Sequence, residues 1–383
     1  MEKILLSIVI PTYNRYQYLF EAIKACLTIP SEEFEVVVQD NTENNQDAMC
    51  FIEKLNDKRV KYFHKREHIS VSENCDMGIA HAVGEYVTMI GDDDSVCSGM
   101  IKATHFCKDN DIDSVCFLVP GFNWPDMEFV GKKSEANLFY AEEADGSVYE
   151  LDAKQELCKS LKDNCGISIN MPRVYHGLVS KSCLDRIYSK IGTYFPGPSP
   201  DMANAVAVCL ETKRTVFIKD YLMVSGYGNS SGRGECNRQQ HYGDLTTKPW
   251  LPKDILERWD RNIPAIFSAE TITVQSASEA LKAMNIKQFI RMLDYGSLYA
   301  IFFWHYKGAR RDLLKFCIKS PVRLFRFFVG CLKRVIVKIN YKKSNKKSNK
   351  KNYLEFNNIT SLLEAHNRTE EMSKLLSYKW MEE

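Results

Sequence analysis

The stretch EYVTMIGDDDSV, residues 85–96, decides how this chain is read. Tyr86, Val87, Thr88, Met89 and Ile90 form a largely apolar run of the kind a buried strand carries. The run reaches Gly91 and stops at three adjacent acids, Asp92, Asp93 and Asp94. Neighbouring carboxylates repel one another, so their place at the end of a buried strand calls for a use. A solvated turn that caps the next helix is one. Holding a hard divalent cation is another, because clustered carboxylates bind Mg2+ or Mn2+ and leave positions open for diphosphate oxygens.

Upstream, LLSIVI (5–10) is a near-continuous apolar run, as in a buried parallel strand, and PTYNR follows as a loop. YQYLFEAIKACL has helical spacing through Leu19, Ile23 and Leu27. FEVVVQDN (34–41) reads as a second strand ending in Asp40, AMCFIEKLN as a helix, VKYFHK as a third strand and SENCDMGIAHAVG as a helix stopped by Gly84. This β-α-β-α-β-α-β order predicts a mostly parallel sheet with helices on both faces. Ligands of such sheets bind beyond the carboxyl ends of the strands. The PTYN loop, Asp40 and the three acids are therefore expected at one edge.

Past residue 115 the alternation weakens. The chain is expected to divide into a nucleotide-sugar-binding half (1–115) and an acceptor-side half (116–250). A helical extension (251–310), a basic segment with linker (311–351) and a C-terminal helix (352–383) follow. Within GPSPDMANAV, Ser199 as N-cap and Pro200 at the first helical position place Asp201 in the first turn of a helix. That position favours an ionised carboxylate, for catalysis or for helix stability alone. GNSSGRGECNRQQHYG, within 226–244, is polar and glycine-rich and reads as a mobile lid.

At 383 residues, 45% hydrophobic and 26% charged, the chain is long and apolar enough for a sizeable core. Its net charge of +2 hides an asymmetry: residues 307–351 carry sixteen Lys or Arg against Asp312 alone, which leaves −13 for the rest. One basic segment on an acidic body points to a local anionic partner and not to nucleic acid, for which no motif is present. The 13 cysteines include no C-x-x-C pair, so they read as buried small hydrophobes in a reducing cytosol. The N-terminus lacks a secretory signal pattern, and LYAIFFW from Leu298 is too short to span a bilayer. In KSPVRLFRFFVGCLKRVIVKIN (319–340), Arg323, Arg326, Lys333, Arg334 and Lys338 gather on one helical arc, with Leu324, Phe325, Phe328, Leu332 and Val335 outside it. This predicts a helix lying in an anionic membrane interface, with 319–351 as the contact, or a helix packed on the body.

SIVIPTYNR, FEVVVQDN and GIAHAVGEYVTMIGDDDSV, in that order, resemble the nucleotide-binding half of family 2 glycosyltransferases with the GT-A fold, among them bacterial surface-polysaccharide enzymes. The resemblance is clear over residues 5–105. It implies a nucleotide-sugar donor, read as a UDP-sugar, a glycan or lipid-linked acceptor, and a cytoplasmic enzyme at the inner face of the membrane. It implies donor contacts from Pro11, Thr12, Tyr13, Asp40 and Asp92, and Mn2+ or Mg2+ held by Asp93, with Asp94 as the alternative. Asp201 stands where inverting members keep the base. The family's diphosphate-binding Arg is replaced within SENCDM, so Arg233 or Arg238 is expected to supply a cation; His176 and His241 are candidate assistants. Two other readings remain: a non-catalytic module that binds a cation and lipid, and a sugar-nucleotide pyrophosphorylase, whose glycine-rich first loop PTYNR does not match.

Overall fold

The computed structural model describes residues 3–67, 69–238, 241–345 and 354–375. Its first half follows the alternating order: β1 (Leu6–Thr12), α1 (Tyr16–Leu27), β2 (Phe34–Asp40), α2 (Gln46–Leu55), β3 (Val60–His64), α3 (Val71–His81) and β4 (Tyr86–Met89). β1 lies between β2 and β4, parallel to both, and β3 extends the sheet beyond β2. Beyond β4, the strand Leu178–Ser180 runs antiparallel, followed by β6 (Ser114–Leu118), Thr215–Tyr221 and Val148–Glu150. The eight strands form a mostly parallel α/β sheet with helices on both faces. A smaller sheet joins β5 (Ser95–Val96), Met223–Tyr227, β7 (Gly121–Asn123), Leu138–Tyr140 and Leu354–Phe356.

Alternation within the strands explains the two helical layers. Leu6, Ile8 and Ile10 share a core with Leu19, Ala22 and Ile23 of α1, and with Met100 and Ala103 of α4 (Gly99–Asp109). Val9, Val37, Val87 and Met89 face the other way, onto Cys75 and Ile79 of α3, Leu184 and Ile187 of α6 (Lys181–Ile191), and Ala207 and Val208 of α7 (Pro200–Glu211). The opposite side of α7 sends Met202, Ala205 and Val206 into a helical core with α5 (Ala153–Lys162) and the helices Ala269–Ala283 and Tyr295–His305. α7 therefore joins the sheet to the helical body.

Some local expectations differ. α3 starts at Ser70 with a reciprocal capping box to Glu73 but ends at His81, with extended Ala82 after it, so Gly84 is not its stop. Gly84 is needed for packing: a Cβ there would lie 2.6 Å from the Ser7 amide nitrogen. The polar stretch after Tyr227 is not structureless, because Ser231 caps a short helix α8 (Gly232–Asn237). The basic arc of the helix Pro321–Asn345 turns toward the protein: Arg323 donates to the Arg261 carbonyl at 2.6 Å, Lys333 to Asp294 at 2.7 Å, and Lys338 covers the Trp304 ring. Amphipathic spacing defines two faces but not which of them meets the body.

The segment after the linker opens with a strand, Leu354–Phe356, before the helix Leu362–Leu375; residues 346–353 and 376–383 lie outside the described set. That helix packs Leu362 and Ala365 into the core under β1 and α1. Thr369 meets the Tyr140 hydroxyl, Ser373 donates to Asp220, and Ser98 donates to Glu370. Replacing Leu362 by Ala is expected to cost about 2–5 kcal/mol of folding stability in urea unfolding. A loss below about 0.5 kcal/mol would mean that the helix is no part of this core.

Candidate functional site

The carboxyl ends of β1 and β4 lie side by side in parallel register, so the PTYN loop and the three acids meet. Asn14 turns the loop with a left-handed φ of 56°, a conformation Asn tolerates, and its amide donates to the Thr42 hydroxyl at 2.8 Å. The acids are not the exposed cluster that a solvated turn would make: Asp92, Asp93 and Asp94 are 2%, 4% and 0% exposed. Burying three carboxylates is costly unless donors and cations meet them.

Each acid finds different company. Asp94 is saturated by the protein: its Oδ1 accepts from the Gly226 amide at 2.7 Å, and its Oδ2 meets the Gly91 amide at 2.6 Å and His176 Nε2 at 2.7 Å. Asp92 Oδ2 accepts from the Thr12 hydroxyl at 2.7 Å. Asp93 Oδ2 accepts from the Gly228 amide at 2.9 Å, and its carbonyl accepts from Trp124 Nε1 at 3.1 Å. The strand Met223–Tyr227 can lie this close to the acids only because residue 226 is glycine; a Cβ there would sit 1.7 Å from the Asp93 carbonyl oxygen.

The facing cation is Arg15. Its Nη1 lies 2.8 Å from Asp92 Oδ1 and its Nη2 2.8 Å from Asp93 Oδ2. These are charge contacts without hydrogen-bond alignment, so Asp92 Oδ1, Arg15 Nε and Arg15 Nη2 are buried with no hydrogen-bond partner. One guanidinium serves two buried carboxylates. Burial pushes Asp92 up to about 7 against the pull of Arg15, and raises Asp93 in the same way. Burial pulls the Arg15 guanidinium down, but the charges of Asp92 and Asp93 outweigh it and hold it above its ordinary value.

A cavity of about 370 Å3 opens beside this group. Its floor is Pro11, Thr12, Tyr13, Arg15, Asn41, Asn74 and Asp92. Its cover comes from far along the chain: Ser230, Ser231, Glu235, His241 and Trp250. The cover is pinned to the start of α3, where the Val71 amide donates to the Trp250 carbonyl at 3.0 Å. His241 meets Glu235 at 2.9 Å.

Several candidates fall elsewhere. Asp40 does not line the cavity; its Oδ1 accepts from the Thr42 amide and its Oδ2 from the Tyr16 and Tyr62 hydroxyls, all at 2.7–2.8 Å. It braces the loop that presents Asn41. Arg233 lies over the Tyr227 ring and Arg238 donates to the Asn229 carbonyl, and neither lines the cavity; the guanidinium that does is that of Arg15. Arg15 follows PTYN directly, and a search of the whole ligand edge for positive charge would have included it. Asp201 does begin α7 after Ser199 and Pro200. It lies outside the cavity lining, where burial raises its carboxyl while the charges of Arg173 and His176 oppose the rise. His176 takes a left-handed φ of 56° and stacks on Tyr175.

For a divalent cation, Asp92 and Asp93 fit: the two share one guanidinium, and Asp92 Oδ1 meets Arg15 by charge contact without a hydrogen bond. Asp94 does not fit, because both its oxygens are occupied by protein donors. Asp94→Ala is expected to cost at least about 3 kcal/mol of stability, since three donors lose a buried acceptor. A urea midpoint that does not move would return Asp94 to the list of available ligands.

Residues 7–162 match the family profile described as glycosyl transferase family 2. The glycosyltransferase GlyG of Streptococcus pneumoniae serotype 4 is 27% identical over 156 residues, 40% of this chain and 46% of that protein. A Campylobacter jejuni protein named GalNAc(5)-diNAcBac-PP-undecaprenol beta-1,3-glucosyltransferase is 32% identical over 100 residues, 25% of this chain and 32% of that one. The chain spans less than half the length of these curated relatives. A crystal structure of Staphylococcus aureus TarS 1-349 superposes with a TM-score of 0.44 at 17% identity, covering 58% of this chain and 60% of that one. The similarity to glycosyl transferase family 2 thus covers residues 7–162, and both relatives carry glycosyltransferase names.

Proposed function

We propose that the protein is an inverting glycosyltransferase that moves a sugar from a nucleotide donor, a UDP-sugar, to a glycan or lipid-linked acceptor in surface-polysaccharide synthesis. The observation that carries this reading is the single cavity shared by the Thr12–Tyr13 loop, Asp92 and Arg15 at the carboxyl ends of β1 and β4. The name of the Campylobacter relative, which describes an undecaprenol-linked acceptor, supports the acceptor class.

In this reading the nucleoside sits against Tyr13 and Asn41 beneath Trp250, and the diphosphate lies toward Arg15. Mn2+ or Mg2+ held by Asp92 and Asp93, when bound, would neutralise charge on the leaving diphosphate. Arg15 offers a second positive charge at the same place, preorganised by the two carboxylates. The acceptor hydroxyl attacks the anomeric carbon as Asp201 takes its proton. The bond from carbon to acceptor oxygen forms while the bond to the phosphate oxygen breaks, and that electron pair leaves with the diphosphate. The raised carboxyl of Asp201 suits it to this task, because a stronger base accepts the proton more readily.

Two experiments test the reading. Asp201→Asn keeps the side-chain shape and removes the proton acceptor, so turnover with a UDP-sugar panel, scored by UDP release, is expected to fall roughly 10²–10⁴-fold. Since the base must be ionised and burial raises it, the acid limb of the wild-type profile is expected above the ordinary carboxylate value of about 3.9. Turnover that barely changes would leave Asp201 as a helix-start residue only. Asp93→Ala is expected to abolish the dependence of UDP affinity on Mn2+ while the chain stays folded. Undiminished Mn2+ dependence in that variant would remove Asp93 from the metal site, and no UDP release with any donor would favour a non-catalytic module.

A further inference from the structure

The helix Pro321–Asn345 crosses the helix Tyr295–His305 with backbones in contact: a Cβ on Gly330 would lie 1.9 Å from the Gly296 carbonyl oxygen, and one on Gly296 would lie 2.5 Å from that of Arg326. That crossing fixes which face looks outward. Arg323, Lys333 and Lys338 are held against the protein by the contacts described above, and Arg334 by His305 at 2.9 Å. The opposite face presents Val322, Phe325, Phe328, Leu332, Ile336 and Ile339, which are 48–69% exposed. At about 100° per residue these six lie within an arc of roughly 120°. An apolar patch of this size on a protein surface marks a contact with something.

Two features choose the occupant. The stripe is wider than the two-position seam of a coiled coil, with Phe328 beside it as well as Phe325 within it, which is the breadth of an interfacial helix. Beyond the cations that meet the body, residues 341–351 hold six Lys and no acid. A second copy would set like charge against like charge, whereas anionic headgroups meet it with the opposite sign. Among the described residues no helix is long and apolar enough to cross a membrane. We propose that this apolar face, and not the basic arc, enters an anionic lipid surface, while the cations fix the helix to the body and extend past its end.

The test needs no nucleotide, so it stands or falls apart from the glycosyl-transfer reading. Sedimentation of the full chain with vesicles of phosphatidylcholine, with and without phosphatidylglycerol, is compared with that of a Leu332→Glu, Ile336→Glu double variant. A Val83→Glu variant, altered at an exposed apolar site elsewhere, serves as control. The wild type and the control are expected to bind phosphatidylglycerol vesicles. The double variant is expected to bind at least roughly tenfold more weakly with an unchanged circular dichroism spectrum. Equal binding by wild type and double variant would overturn the proposal, as would no binding by the wild type. Light scattering that finds a wild-type dimer, reduced to a monomer by the double variant, would also overturn it and seat a second copy on this face.

Discussion

Burial of three consecutive carboxylates at the end of β4 is the constraint on which the site depends. Charges removed from water must be met by donors or by opposite charge. The fold answers with three separate segments and one local amide: the PTYN loop and the residue after it supply Thr12 and Arg15, Met223–Tyr227 and its extension supply two amides, the segment before Leu178–Ser180 supplies His176, and Gly91 next to the acids supplies a third amide. Asp94 is spent wholly on this assembly. Asp92 and Asp93 are not, and their shared guanidinium leaves negative charge beside an open cavity. That imbalance supports the proposal that a further cation and a diphosphate bind here.

The same constraint ties distant parts of the chain to the site. Gly226 can approach Asp93 only without a side chain, and its strand belongs to the smaller sheet that is backed by the helix Leu362–Leu375. α7 carries Asp201 at its start and is clamped between the sheet core and the helical core, so the proposed base is positioned by two layers at once. Trp250 covers the cavity from more than 200 residues beyond Tyr13 in sequence. The helical body thus helps to build the site instead of merely following it.

Much of this architecture is legible in the amino-acid order, for identifiable reasons. Strands buried on both faces must be apolar nearly throughout, which marks β1, β2 and β4. Pro200 and Asp201 announce a helix start through a preset φ and a first-turn acid, although the Ser199 side chain makes no capping bond. What could not be read is tertiary. The pairing of Arg15 with the acids, the bracing of Asp40 by Tyr16 and Tyr62, and the saturation of Asp94 depend on segments that meet only in three dimensions. The basic helix illustrates the limit most sharply: its periodicity separates Arg323 and Lys333 from Phe325 and Leu332, but the close contact at Gly296 and Gly330 decides which set faces the protein.

The central claim is that the PTYN loop, Asp92, Asp93, Arg15 and the Trp250 cover form one donor site. The most direct measurement is a crystal structure of the full chain soaked with UDP and Mn2+. The account predicts the uridine between the Tyr13 loop and Trp250, with the diphosphate and the metal against Asp92 and Asp93 and Arg15 alongside. UDP bound at another place, or an empty cavity at saturating UDP, would contradict it.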